Sequence, residues 1–414
     1  MKRRWPLLGY PDFLRFWAAD AISMAGTSIT TVALPAIAIF TLGASDSEVG
    51  VISAARWFPY LLLGLLAGVF VDRHRRRPIL VTADLARGAV LALIPLFAAL
   101  DVLSMPLLVA VVLVFGALSL GYDAAHQSFP PVLVPTALLT PAWARLEQTN
   151  AVATTGGPAV AGFLVQLIGA PLAILLDALS YLISGLLLLT VRPLVPEVAL
   201  SKDVPRDLRQ EIRDGLAWVY RNRTTSPLAV TTHVWFVFQG IISTAYTVFA
   251  YRTLGLSVAA VGVTLAIGGV GSVIGATASG WFGRRMGVGP AIILGRWMTP
   301  AGYLLIPLAG DNALGFVLLC VSQFVFGLSI GIDSPIEMGY RQSVTPSGLL
   351  GRMHATLRSV NRASLTVGLV LGGVLAEHLG HREALWIGVG GMVLQAVLLH
   401  RSAFRHARLT DALT

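Results

Sequence analysis

Gly68-Val69-Phe70-Val71-Asp72-Arg73-His74-Arg75-Arg76-Arg77-Pro78-Ile79-Leu80 is the stretch on which the reading of this chain turns. An apolar run from Val49 to Val71 ends abruptly in one acid and a block of bases, and a second run, Ile79 to Leu100, begins at once. Runs of about 20 apolar residues match the hydrocarbon thickness of a bilayer. A turn this short and this basic between two such helices belongs on a cytoplasmic face, where Arg and Lys concentrate.

Composition agrees. Of 414 residues, 55% are hydrophobic and only 12% charged, about half the charged share of a soluble domain, and the mean hydropathy is +0.75. The expected class is an all-α polytopic membrane protein. The net charge of +9 does not point to nucleic acid, because the bases sit mostly in short loops between apolar runs. Cys320, the single cysteine, falls in an apolar run and reads as a small packed side chain with no intrachain disulfide. Lys2 and Lys202 are the only lysines, a bias toward Arg that hints at a GC-rich bacterial genome. No cleavable signal is expected, since Met1-Lys2-Arg3-Arg4-Trp5 leads into a full-length span.

Twelve spans are read from the sequence, at 14–40, 49–71, 79–100, 104–123, 146–168, 171–191, 227–250, 258–281, 289–309, 312–333, 354–377 and 383–401. Basic segments alternate with acidic ones. The amino terminus, the Arg73–Arg77 turn, 192–226, Arg284-Arg285, Arg341–Arg352 and the tail from Arg401 are basic. The intervening loops hold Asp46, Glu48, Asp101 and Asp311, with Arg252 and Arg382 as their bases. Both termini are therefore expected in the cytoplasm. Residues 192–226 are broken early by Pro193, Pro196 and Pro205, then read as an amphipathic helix, Asp207 to Arg221, with Leu208, Ile212, Leu216 and Val219 on one face.

The chain repeats itself about this linker. Gly68 and Pro78 recur as Gly280 and Pro290, an offset of 212, and Gly121-Tyr122-Asp123 recurs as Gly331-Ile332-Asp333. Pro135, Asn150, Gly157 and Gly162 recur as Pro346, Asn361, Gly368 and Gly373. The expected organisation is one six-helix bundle over 1–191, a cytoplasmic linker over 192–226 and a second bundle over 227–414, related by an axis along the membrane normal.

On these residues the chain resembles the major facilitator superfamily. Gly68, Asp72, Arg73, Arg76, Arg77 and Leu80 fall on its motif A, with Arg75 in place of the second glycine; in the repeat, Arg284 stands where Asp72 does. The resemblance implies a gate in which Asp72 meets the start of the 354–377 helix and Arg76 meets Asp123. For Arg75 and Arg77 a plain positive-inside anchor is the favoured reading. Gly156-Gly157-Pro158-Ala159-Val160-Ala161-Gly162 resembles motif C of the superfamily's exporters, with Ala161 replacing one glycine. A simple small-residue packing stripe is the plainer alternative there. Pro59–Gly64 and Ala83–Gly88, flanking motif A, resemble the enterobactin-exporter and macrolide-efflux subgroup of its drug and siderophore exporters.

Ionisable residues inside spans are costly and are functional candidates by default. Asp20, Arg56 and Asp177 are the proton-coupling candidates, a pairing of Arg56 with Asp177 being one option. A carboxyl that exchanges a proton near physiological pH has to be partly desolvated; a salt bridge at Asp177 would spoil that, which favours Asp20. Asp84 and Arg87, three residues apart, read as a structural pair. Arg358 and Arg362 snorkel or answer Asp333 and Glu337. The resemblance places the substrate cavity on helices one, four, seven and ten. Its candidates are Ser23, Thr27 and Thr30, then His233, Trp235, Phe236, Gln239, Ser243, Tyr246 and Thr247.

The expected protein is thus a proton-coupled multidrug-type antiporter of the bacterial inner membrane, exporting a small amphipathic molecule by alternating access. No P-loop, metal-ligand cluster or nucleophile elbow is found in the sequence. It is expected to be no enzyme, to use no cofactor beyond the proton gradient, to bind no nucleic acid and to act as a monomer among lipids. Import or lipid flipping on the same fold, and a non-transporting membrane sensor, are the alternatives.

Overall fold

The computed structural model describes residues 6–72, 74–194, 208–222 and 224–407. Among the described residues every regular element is a helix. In order they are α1 (Pro11–Ala36), α2 (Asp46–Ala55), α3 (Phe58–Asp72), α4 (Arg76–Ala99), α5 (Met105–Ser128), α6 (Leu139–Ile168), α7 (Ala170–Thr190), α8 (Leu208–Arg221), α9 (Thr225–Val248), α10 (Val258–Met286), α11 (Val288–Tyr303), α12 (Ala313–Val344), α13 (Leu350–Leu379) and α14 (His381–Arg401). Among the described residues, ten helices are long and apolar enough to cross a membrane.

The stretches of the other two expected spans are helical in shorter pieces, each for a local reason. Residues 46–72 break between α2 and α3, where Pro59 has no N–H to give Ala55 and its ring crowds that carbonyl. The chain instead takes tight turns, Trp57 N–H bonding Ala54 O at 2.9 Å and Tyr60 N–H bonding Trp57 O at 3.0 Å. The break sets Arg56 and Trp57 at a bend. Similarly α11 carries Pro300 and ends at Tyr303, and the chain continues in three-residue turns to Ala309.

The sequence repeat is a structural repeat. Both α1 and α9 end in a π-helical turn, Ile37–Thr41 and Phe249–Thr253. Gly169 (φ 83°) and Gly380 (φ 107°) each reverse the chain between two antiparallel helices, a left-handed conformation that a side chain resists. The small residues of the motif-C stretch and of its copy sit at matching contacts. A Cβ on Gly162 would lie 2.6 Å from Val258 O at the start of α10, and one on Gly157 would run into Ser28 on α1. In the copy, Gly373 abuts Asp46 and Ser47 at the start of α2, and Gly368 abuts Val237 on α9. Helices α6 and α13 thus cross from one half to the other, packing on α10 and α2 respectively. Close backbone approach supplies the dispersion contacts that hold helices together where lipid tails offer no hydrophobic gain. Gly162→Leu is accordingly expected to lower stability by about 1–3 kcal/mol, as overpacking does; thermal unfolding in detergent reads it, and an unchanged melting temperature counts against the contact.

Helix α8 lies within the linker, on α13 and α9. Its buried face agrees with the expected one at Val219 and departs from it at Leu216. Val219 packs with Ala229, Met353 and Leu357, and Trp218 against that cluster, whereas Leu216 is exposed. Trp218 Nε1 donates to Thr345, and Asp214 pairs with Arg352 at 2.9 Å. The side chains of Leu208 and Ile212, and residues 195–207, lie outside the described residues.

Candidate functional site

Three cavities adjoin; the first two are lined by residues of both sequence halves, the third by residues of the second half. The first, about 360 Å³, runs from Asp20, Ser23 and Thr27 on α1 across Trp57 and Tyr60 to Arg362 on α13. A second, about 720 Å³, shares Tyr60 and Asp123 with it and reaches Val71, Gln342 and Gly351 at the end that carries the basic turns. A third, about 480 Å³, shares Arg362 with the first and Arg358 with the second, and is lined by Trp235, Arg296, Asp333 and Glu337.

The opposite end is shut. Asp46, buried at the start of α2, accepts from Arg252 and lies 2.7 Å from His381 Nε2. Arg252 also bonds Ala44 O, Thr253 bonds His381 Nδ1 at 2.6 Å, and Ser47 N–H bonds Glu377 at 2.9 Å. One acid from the first half thereby ties two bases of the second, in a setting where loss of one partner leaves charge unpaired. Asp46→Ala is expected to open this end: in a Cys320→Ser background, Met24→Cys on the cavity wall should react about ten-fold faster with a membrane-impermeant maleimide added from that side. An unchanged rate counts against the latch.

The cavity wall in the first half is built around Asp20. It is 2% exposed, its Oδ1 lies 2.9 Å from His126 Nε2, and its Oδ2 has no hydrogen-bond partner among the described residues. His126 is held between the rings of Phe16 and Tyr122, at 5.1 and 5.6 Å. One layer away, Asp84 pairs with Arg87 and accepts from Ser184 at 2.6 Å. Arg87 lies over Tyr122 at 3.9 Å and Tyr181 at 4.4 Å, which compensates part of its lost hydration. Asp84–Arg87 is an ion pair, as expected, and Arg87 also lines the cavity.

Asp177 and Arg56 do not meet. Asp177 is wholly buried behind the wall, held by Thr30 and by Ser180 at 3.1 Å. Arg56 sits at the α2–α3 bend, 3.4 Å from Thr31 and beside the Trp57 and Phe115 rings. The implied Arg76–Asp123 contact is replaced too: Arg76 reaches Ser128 at 3.0 Å, and Asp123 accepts from Tyr60 at 2.6 Å. Asp123 lies in the cavity wall, drawn there by Tyr60. Gly68 and Asp72 fall in α3, but the Asp72 side chain and Arg73 lie outside the described residues, as does any contact they make. Arg77 bonds the carbonyls of Leu188 and Leu189 at the end of α7, consistent with an anchor and with the helix dipole.

Of the expected cavity side chains, Ser23, Thr27 and Trp235 line these cavities, with Phe236 beside Trp235. Thr30 faces Asp177; Tyr246 is buried on Thr264; Gln239 accepts from Tyr303 at 2.9 Å. His233 is fixed between Tyr220 at 2.8 Å and Asn361 at 2.7 Å. Ser243, exposed, does not line them, nor does Thr247, whose hydroxyl bonds Ser243 O.

The second half carries a network that the sequence reading missed. Arg296 on α11, buried, pairs with Asp333 at 2.8 Å and Glu337 at 2.6 Å; Arg341 takes the other oxygen of Glu337 at 2.6 Å, and Thr232 bonds Arg296 at 3.0 Å. Arg358 and Arg362 therefore do not answer these acids. Arg358 donates to Gln127 at 2.9 Å, and Arg362 lies over Trp57 at 4.0 Å. A signal existed in the repeat: Asp84 and Arg296 stand 212 apart, as do Asp20 and Thr232.

A family model described as transmembrane secretion effector matches residues 4–413. The chain is 25% identical to macrolide efflux protein A of Streptococcus pyogenes over 400 residues, covering 94% of each. It is 26% identical to the multidrug efflux pump Tap of Mycolicibacterium fortuitum over 406 residues, covering 94% and 95%. Among solved structures, the nucleoside transporter NupG superposes with a TM-score of 0.74 at 13% identity, covering 96% of this chain and 100% of that one; it attests the fold alone.

Proposed function

We propose, from the premise that this chain belongs to the transmembrane secretion effector family of major facilitator superfamily transporters, that it is a proton-coupled exporter of a small amphipathic molecule. The observation that carries the reading is the cavity between the halves, entered from the basic end, closed at the other by the Asp46 latch, with a buried carboxyl of incomplete partnering in its wall. A cavity closed at one end and open at the other is one of the two states that alternating access requires. Placing the basic end in the cytoplasm follows the charge rule and makes this the loading state for export. The two six-helix bundles, over 1–191 and 227–414, are the bodies that rock. Asp20 exchanges the proton, with His126 as its neighbour. The motif-A acid Asp72 and the contacts of α6 and α13 set the balance between states. The energy comes from the proton gradient, with no bound cofactor, and the unit is a monomer in a bacterial cytoplasmic membrane with both termini inside. The efflux names of its relatives favour export over import, which the fold alone does not fix.

Efflux of a panel of labelled amphipathic compounds from expressing bacteria, with and without a protonophore, tests this. Protonophore-sensitive extrusion of at least one compound is expected. Uptake into right-side-out vesicles driven by an inward proton gradient would overturn the direction, and gradient-independent flux would overturn the coupling.

A further inference from the structure

Most buried charges of this chain meet a countercharge: Asp84 has Arg87, Asp333 and Glu337 have Arg296 and Arg341, Asp46 has Arg252. Two half-buried cavity guanidinium groups do not. Arg56, at the α2–α3 bend, and Arg362, on α13, have no carboxylate within ion-pair distance among the described residues. They come from opposite halves and approach the same indole, Arg56 at 5.3 Å and Arg362 at 4.0 Å from the Trp57 ring centre. Both line the first cavity. A third base, Arg358, stands one turn along α13 in the adjoining chambers and donates to the neutral Gln127. Two carboxylates share the first cavity with them: Asp123 is engaged by Tyr60, and Asp20 lies beside His126.

An aromatic face offsets only part of what a guanidinium loses on leaving water. Two bases converging from different bodies are therefore short of negative charge, and a planar guanidinium pair is the geometry that suits carboxylate or phosphate oxygens. Trp57 beside them, with Met24, Pro158 and Tyr181 in the same wall, supplies apolar surface for the remainder of such a molecule. We propose that Arg56 and Arg362 are the two sides of an anion-binding subsite astride Trp57, and that the cavity takes an amphipathic molecule bearing one carboxylate or phosphate on an apolar body. An anion held by both halves also ties them together, so its departure releases the contact. The inference rests on the transport reading only in taking this cavity as the place where the carried molecule sits.

The test uses the full chain in phosphatidylcholine nanodiscs and three probes that share one fluorophore: dansylglycine (anionic), dansylglycinamide (neutral) and dansylcadaverine (cationic). Tryptophan-sensitised dansyl emission reads binding. Dansylglycine is expected to bind at least ten-fold more tightly than either analogue. That preference should fall to less than three-fold in Arg362→Gln and in Arg56→Gln, and be partly restored by Arg362→Lys. Equal binding of the three probes, no saturable binding of dansylglycine, or an unchanged preference in both glutamine variants overturns the subsite. If a variant fails to fold, the discrimination among probes by the unmodified protein still decides. Adding phosphatidylglycerol to the nanodiscs separates the sources: competition assigns the site to an anionic lipid headgroup, and indifference assigns it to a soluble anion. Anion preference without protonophore-sensitive efflux would remove the export reading and leave the subsite; efflux without anion preference would do the reverse.

Discussion

Replacing Asp20 with asparagine is expected to reduce uphill efflux at least ten-fold, to the level seen with a protonophore, while leaving expression and melting temperature nearly unchanged. Asparagine keeps the shape of the side chain and removes the exchangeable proton. The effect should be this large because of where the carboxyl stands: 2% exposed, on the cavity wall, with Oδ2 unpartnered among the described residues and Oδ1 2.9 Å from His126. In the proposed proton-coupled cycle, a proton entering the cavity would meet Asp20 beside His126, and the asparagine would remove that stop. Passive exchange of substrate down its own gradient needs no proton and should survive, which separates a coupling defect from misfolding. Asp177→Asn is the contrast. That carboxyl is sealed behind Thr30 and Ser180, so the change should lower stability more than coupling. Uphill, protonophore-sensitive efflux by Asp20→Asn at normal expression would sink the assignment.

Arg296→Met is expected to be more destabilising than Gly162→Leu, costing about 3–5 kcal/mol, as removal of one member of a buried ion cluster does. The guanidinium is 3% exposed and bridges Asp333 on one side and Glu337 on the other, while Arg341 reaches Glu337 alone. Its loss strands Asp333 with no base among the described residues. The expected results are low yield and a depressed melting temperature in detergent. A double variant, Arg296→Met with Asp333→Leu, should recover part of the loss, because the stranded charge goes with its partner; coupling of about 0.5–3 kcal/mol is the usual range for residues in one network. If the double variant is less stable than the single by the full cost of Asp333→Leu, the two residues are not coupled and the cluster is incidental.

The two cases show different degrees of legibility. Asp20 stood out in the sequence as an acid within an apolar run, where few reasons for a charge exist. Its partner did not: His126 lies on another helix, near the end of α5, in a stretch that reads as the close of a span. Arg296 was overlooked because one base in a run interrupted by Pro300 resembles a span edge, and because Arg358 and Arg362 stood closer in sequence to the acids that Arg296 in fact pairs. The repeat offset held the missing hint, since it aligns Arg296 with Asp84. Of the positions expected on α9, Trp235 and Phe236 line a cavity, whereas Gln239 and Tyr246 do not, for a related reason. Gln239 and Tyr246 are polar, but they bond to Tyr303 and Thr264 within their own half, and polarity alone does not say which way a side chain points.

What the sequence by itself determined is what depends on the chain locally or on self-comparison: a membrane protein, all helices, the alternation of basic and acidic loops, the duplication, and the family. Length, hydropathy and loop charge act on each segment alone, so they are read without knowing its neighbours. Only the tertiary structure decided the bend at Arg56–Trp57, the Asp46 latch, the Asp20–His126 contact, the Arg296 cluster and the two bases on Trp57. Each joins residues on different helices, and what sets it is how each helix is rotated about its axis. A soluble helix declares that rotation by its apolar stripe. A membrane helix is apolar on nearly every face, toward lipid and neighbour alike, so the stripe is absent and close packing of small residues sets the rotation instead.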